Sequence, residues 1–183
     1  KAKQQVKNHY LMDGKGEMHL PDVVREELTS EIKPIDGELP TARFRMVFID
    51  DNEEFMKFIT ASLRYIYDFH PYNDIHKAAA DIETTIPDLV VCKQNMRDMT
   101  GSELCTNIKL HPRLNRIKFV LVTDKRLSAQ EMLNQGIAMG ADDYLAKPFN
   151  MQEAILRFNK LLGVGPIEID SKLIEGAATR MLS

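Results

Sequence analysis

The chain has 183 residues, 44% hydrophobic and 28% charged, enough for one ordinary domain with flanking segments and too apolar for a disordered chain. A formal net charge of -3 and a pI near 6.0 give no general attraction for nucleic acid or anionic membrane, and no apolar run approaches the ~20 residues of a membrane span. Two cysteines, Cys92 and Cys105, are too few for a disulfide framework and have no partner at zinc-ligand spacing, so the expectation is two buried thiols in a reducing cytosol.

The first residue is Lys1 rather than methionine and no secretory signal opens the chain, so a cytoplasmic piece of a longer protein is expected. Residues 1–42 are polar and carry Gly14, Gly16, Pro21, Pro34, Gly37 and Pro40, which reads as a linker. Its one helical candidate covers 21–32, where Asp22 can cap and Val23, Val24, Leu28 and Ile32 fall near helical spacing.

A compact domain is expected over 43–163. Met46, Val47, Phe48 and Ile49 form an apolar strand that ends at Asp50 and Asp51, and Asn52 then caps a helix whose Phe55, Ile59, Leu63 and Ile66 share one stripe. Taken alone, an aspartate pair at a helix start is capping chemistry. Residues 69–73 make a weak strand interrupted by Pro71, which points to a sheet edge. A helix follows over 74–84 with Ile75, Ala78, Ala79 and Ile82 inward.

Leu89, Val90 and Val91 have the unbroken apolar character of a central parallel strand covered on both faces, and the polarity switches abruptly at Lys93. Gly101 closes the polar loop beyond it, before a helix over 102–110 with Leu104, Cys105 and Ile108 inward. A fourth strand covers 119–122 and ends at Thr123. Ser128 with Glu131 forms a capping box for a fourth helix, with Gly136 and Gly140 at its fraying end. Residues 143–146 form a short fifth strand leading into Lys147 and Pro148. Asn150 caps a last helix with Ile155, Phe158 and Leu162 inward, stopped by Gly163, and 164–183 read as a second linker toward an absent effector domain.

Strands and helices that alternate five times imply an α/β fold, a doubly wound five-stranded parallel sheet with both faces covered. In such sheets ligands sit at the carboxyl ends of the strands. Aligning those ends brings Asp50, Asp51, Lys93, Thr123 and Lys147 to one edge, although they are far apart in the chain.

With these residues placed, 43–162 resembles the receiver domains of bacterial two-component response regulators. The matching motifs are the acidic pair in FIDDNEEF, Thr123 at the fourth strand end, and Tyr144, Lys147 and Pro148 in GADDYLAKPF. The resemblance implies a flavodoxin-like strand order of 2-1-3-4-5. It implies an Mg2+ site made by Asp50, Asp51 and the Asn95 backbone, a phosphoryl contact from Thr123 and Lys147, and a switch aromatic at Tyr144. An ordinary half-buried tyrosine is the other reading of Tyr144.

The departure is at the centre. Where the family has its phosphoacceptor aspartate, then Met-Pro, then glycine, this chain has Lys93, Met96, Arg97 and Gly101. A lysine near its ordinary pKa of about 10.4 is protonated and has no lone pair with which to attack phosphorus. In the family three carboxylates face one lysine and leave a charge for Mg2+ to balance. Here Asp50 and Asp51 face Lys93 and Lys147, and the pocket is neutral. A unit pair ~4 Å apart at an effective dielectric of about 20 attracts by about 4 kcal/mol before desolvation, so the Lys93 ammonium is expected to occupy the metal position, with no metal or other cofactor bound. The other reading is that Lys93 swings out into solvent.

The function expected on this basis is a receiver-like signalling module without enzymatic turnover. It is phosphorylation-independent and acts in transcriptional regulation through histidine-kinase and DNA-binding domains of one hybrid protein. Two copies are expected to associate through 128–162, with no membrane contact and no direct nucleic-acid contact. Two alternatives stand beside it: a working phosphoacceptor that uses Asp51, and a phosphate-ester hydrolase or small-ligand-binding domain of flavodoxin-like fold. The last lacks a glycine-rich phosphate loop after the first strand.

Overall fold

The computed structural model describes residues 43–137 and 140–164, together with two short strands, β1 (Leu11–Met12) and β2 (Met18–His19), paired antiparallel. The helix expected over 21–32 lies outside the described residues, as does the second linker apart from Val164.

The domain alternates β3 (Arg45–Ile49), α1 (Glu53–Leu63), β4 (Asp68–Tyr72), α2 (Ile75–Thr85), β5 (Leu89–Lys93) and α3 (Gly101–Leu110). It continues with β6 (Lys118–Thr123), α4 (Ala129–Asn134), β7 (Asp143–Ala146) and α5 (Met151–Leu161). The five strands β3 to β7 make one parallel sheet in the order β4-β3-β5-β6-β7, which is 2-1-3-4-5 counted within the sheet. The fold is the doubly wound α/β sheet that the sequence pattern implies.

The continuous apolar runs are explained by burial on both faces. Successive strand residues point to opposite faces, so Met46 and Phe48 join α1 and α5 through Phe55, Ile59, Leu63, Ile155 and Phe158. Val47 and Ile49 join α2 and α3 through Ile75, Ala78, Ile82, Leu104 and Ile108. β4 takes the edge, where Pro71, which has no N–H to donate, is exposed.

Local signals set the helix starts. Asn52, Asp74 and Asn150 accept first-turn N–H groups, and Thr100 with Glu103 and Ser128 with Glu131 form reciprocal capping boxes. Most boundaries fall within a residue of expectation, and two elements are shorter than expected. α1 ends at Leu63, and Ile66 lies in the following turn although it packs against the same core. α4 has only six residues and buries none of them; its helical spacing is carried by the partly buried Met132 alone.

Candidate functional site

The carboxyl ends of β3, β5, β6 and β7 bring the expected residues to one edge of the sheet. Asp50 follows β3 directly and is fully buried, its own N–H donating to the Tyr72 carbonyl at 3.0 Å. Its Oδ1 accepts the Asn52 N–H at 2.9 Å, which orients the turn into α1, and its Oδ2 accepts Lys147 Nζ at 2.7 Å. That ammonium also lies 4.0 Å from the centroid of the Phe55 ring. Lys147 is carried to Asp50 by β7, where its N–H donates to the Thr123 carbonyl at 2.8 Å and the peptide to Pro148 is cis.

Asp51 faces outward and takes a different partner. Lys93 Nζ donates to its Oδ1 at 3.0 Å, with the lysine side chain 15% exposed and the aspartate 42%. Burial works against the Lys93 charge, but the bond to Asp51 and the charges of Asp50, Asp51 and Asp124 outweigh it and hold the pKa above the ordinary lysine value. The ammonium therefore stays charged and points into the acidic edge.

The loop after Lys93 is built tightly. Gln94 is buried and its side-chain carbonyl accepts the N–H of Ser102 at 3.0 Å and the hydroxyl of the same residue at 2.7 Å. A Cβ on Gly101 would stand 2.7 Å from the Lys93 carbonyl oxygen and 2.7 Å from Leu121 Cδ1, so only glycine lets α3 begin this close to the end of β5. Asn95, two residues past Lys93, donates from its side chain to Asp124 Oδ2 at 3.2 Å.

Thr123 ends β6 buried, and its hydroxyl donates to the Lys125 carbonyl at 2.8 Å, within the loop that leads to α4. Tyr144 is half-buried against the core between the sheet and α3; burial, then the neighbouring Cys105, raise its pKa, opposed by a backbone hydrogen bond from Ala141. Of the other acids close to Lys93 in the chain, Asp88 stands before β5 at the far end of the strand, where its carboxylate accepts the Arg45 N–H at 2.8 Å, and Asp98 sits in the loop with φ of 71°.

Three participants were not singled out from the sequence. Phe55 reads as core, and its role under Lys147 depends on a contact between residues 92 positions apart that no local pattern encodes. Gln94 is an unremarkable polar residue until its burial is known. Asp124 could have been found, because it follows Thr123 at a strand end on the acidic edge. Chemically, the site is two carboxylates, each already bonded to an ammonium, with the Asp124 carboxylate beside them held by the Asn95 amide.

A sequence model described as the response regulator receiver domain matches residues 46–159. Histidine kinase P4 of Formosa agariphila is 28% identical over 117 residues, covering 64% of this chain and 8% of that protein. The phosphate regulon transcriptional regulatory protein PhoB of Rhizobium meliloti is 28% identical over 98 residues, covering 54% of this chain and 42% of that protein. The chain thus spans under half the length of either relative. Among solved structures, the chemotaxis protein CheY4 of Vibrio cholerae superposes with a TM-score of 0.59 at 21% identity, over 66% of this chain and 99% of that one. A response regulator from Desulfuromonas acetoxidans gives 0.55 at 22% identity, over 66% and 97%. At these identities the two structures speak for the fold alone.

Proposed function

The chain belongs to the response regulator receiver domain family, a family of signalling modules, and from that premise we propose that it is a phosphorylation-independent receiver in which Lys93 stands in the place of the acceptor aspartate. The observation that carries the reading is the Lys93 ammonium bonded to Asp51 at 3.0 Å at the end of the central strand. A protonated amine there offers no lone pair for a phosphoryl group and neutralises the acids that would attract a cation.

The donor set also does not fit Mg2+. Asp50 and Asp51 each hold an ammonium, the nearby Asp124 carboxylate is bonded to the Asn95 amide, and among the described residues no group of three His, Cys, Asp or Glu could hold a metal. In this reading the receiver spans 43–163 between linkers 1–42 and 164–183. It lies in the cytoplasm and acts by contact with kinase and DNA-binding domains of one longer protein, and two copies pair through 128–162. Relatives that are a histidine kinase and a transcriptional regulator support that context.

The test is incubation with acetyl phosphate followed by intact-mass measurement. No added phosphoryl group is expected, and a stable adduct removed by Asp51→Asn would replace this reading with a working acceptor at Asp51.

A further inference from the structure

Toward the amino-terminal end of β3, away from the acidic edge, one imidazole nitrogen is claimed by two groups that cannot both bond to it in the same protonation state. His70 Nε2 on the edge strand β4 lies 2.7 Å from Arg45 Nη1 and 2.8 Å from Asp68 Oδ1. A guanidinium only donates and a carboxylate only accepts, so the first contact needs Nε2 bare and the second needs it protonated. We infer that His70 is a proton-operated tie: neutral, it accepts from Arg45 and joins β4 to β3, and protonated, it donates to Asp68 within its own strand and releases Arg45.

The surroundings decide which contact holds at each pH. Arg45, His70, Asp68 and Tyr72 share the sheet face covered by α2, as the two-residue alternation of β3 and β4 requires. From α2, Asp81 receives Arg45 Nη2 at 3.3 Å from both its oxygens, and it bonds the Tyr72 hydroxyl, whose pKa is raised first by burial and then by Asp81. Lys77 lies one turn before Asp81 on the same helix. From β5, Asp88 holds the Arg45 backbone N–H.

When the ring is neutral, Arg45 Nη1 has no acceptor closer than His70, since Asp68 Oδ2 is 3.4 Å away. The Asp68 side chain is 49% exposed and open to solvent, whereas Arg45 is only 25% exposed. The bare-Nε2 form, with the proton on Nδ1, is therefore the neutral tautomer. Protonation puts two cations 2.7 Å apart and moves the bond to Asp68. The imidazole is 30% exposed, so the proton can reach it. Because Asp68 and His70 belong to the same strand, the new bond does not join β4 to β3, and the longer Arg45–Asp68 ion pair at 3.4 Å is the side-chain contact left between the two strands there. β4 is an edge strand with β3 as its single hydrogen-bonded neighbour.

The experiment is an NMR titration of the protein from about pH 8 to about pH 5, the range in which an imidazole changes charge. Long-range proton–nitrogen correlations report the tautomer, Arg45 side-chain resonances report the bond, and amide exchange corrected for its intrinsic pH dependence reports β4. The expected result is the Nδ1–H tautomer at high pH, and Arg45 resonances that move with the His70 midpoint. β4 amide exchange is expected to be about three-fold faster in the protonated form, the order of one modest hydrogen bond. His70→Gln, whose amide oxygen accepts from Arg45 at every pH, is expected to abolish both pH dependences. A proton on Nε2 at high pH, an Arg45 signal indifferent to the His70 titration, or the same pH dependence in His70→Gln would each overturn the inference.

Discussion

Lys147 and Asp50 stand 97 residues apart in the chain and meet at 2.7 Å, with side chains only 8% and 1% exposed. Lys93 and Asp51, beside them, meet at 3.0 Å with the carboxylate 42% exposed. The same chemistry in two environments has different energetic weight. Removing one partner of a buried pair leaves a charge without water, which costs about 3 kcal/mol or more. A solvent-facing pair is worth less than about 1 kcal/mol. Urea unfolding of Asp50→Ala is expected to show a loss of about 3 kcal/mol, and Asp51→Ala a loss below about 1 kcal/mol; equal losses would contradict the assignment.

Mg2+ binding is expected to be absent from the parent protein at millimolar concentration and to appear in Lys93→Asp. The substitution exchanges an ammonium for a third carboxylate at the end of β5, giving an oxygen-rich set of the kind a small divalent cation needs. Titration calorimetry checks this directly, since the chain has no tryptophan to report the event by fluorescence. Binding by the parent that is unchanged in Lys93→Asp would show that the lysine does not occupy the position.

Stability is expected to fall as the solution becomes alkaline. Burial raises the Cys92 thiol far above its ordinary value, raises Cys105 to about 11 and raises the Tyr67 phenol strongly. In the unfolded chain these groups lose their protons from about pH 8.5 for thiols and about 10 for tyrosine, so the folded state binds more protons above those values and ΔG falls. Each thiol contributes a slope of about 1.4 kcal/mol per pH unit in that window, which for Cys105 levels off near its folded value. Lys93, with its pKa raised, contributes stability below its unfolded value that is lost as pH rises through the folded one, in the same direction. Urea midpoints between about pH 7.5 and about pH 10.5 test this, and a flat profile would contradict it. In the native state at about pH 8, neither thiol is expected to react with a disulfide reagent.

Gly101→Ala is expected to destabilise the domain by about 2 kcal/mol or more, because the added methyl would meet a backbone oxygen and a packed leucine rather than a flexible chain end. Thermal unfolding measures the loss. An unchanged midpoint would mean that the start of α3 can shift away from β5.

Much of the fold was legible in residues 43–163 because the signals that specify it are local. Asn52, Ser128 and Asn150 cap helices through bonds to their own first turns, Pro71 marks the sheet edge by lacking an N–H, and the apolar runs at 46–49 and 89–91 require cover on both faces. The right-handed crossover rule then brought Asp50, Asp51, Lys93, Thr123 and Lys147 to one edge without coordinates. Tertiary structure decided how those residues pair. Two acids and two lysines allow more than one matching, and burial selects it: Asp50 lies below the surface beside Phe55 where Lys147 arrives from β7, which leaves the outward Asp51 to Lys93. The same holds for the Tyr67 hydroxyl, which donates to the buried Asn159 at 2.7 Å, and for Arg45 and His70 across β3 and β4. Those partners are chosen by which side chains the packing leaves without water, a property of the assembled sheet and helices that no stretch of the chain carries by itself.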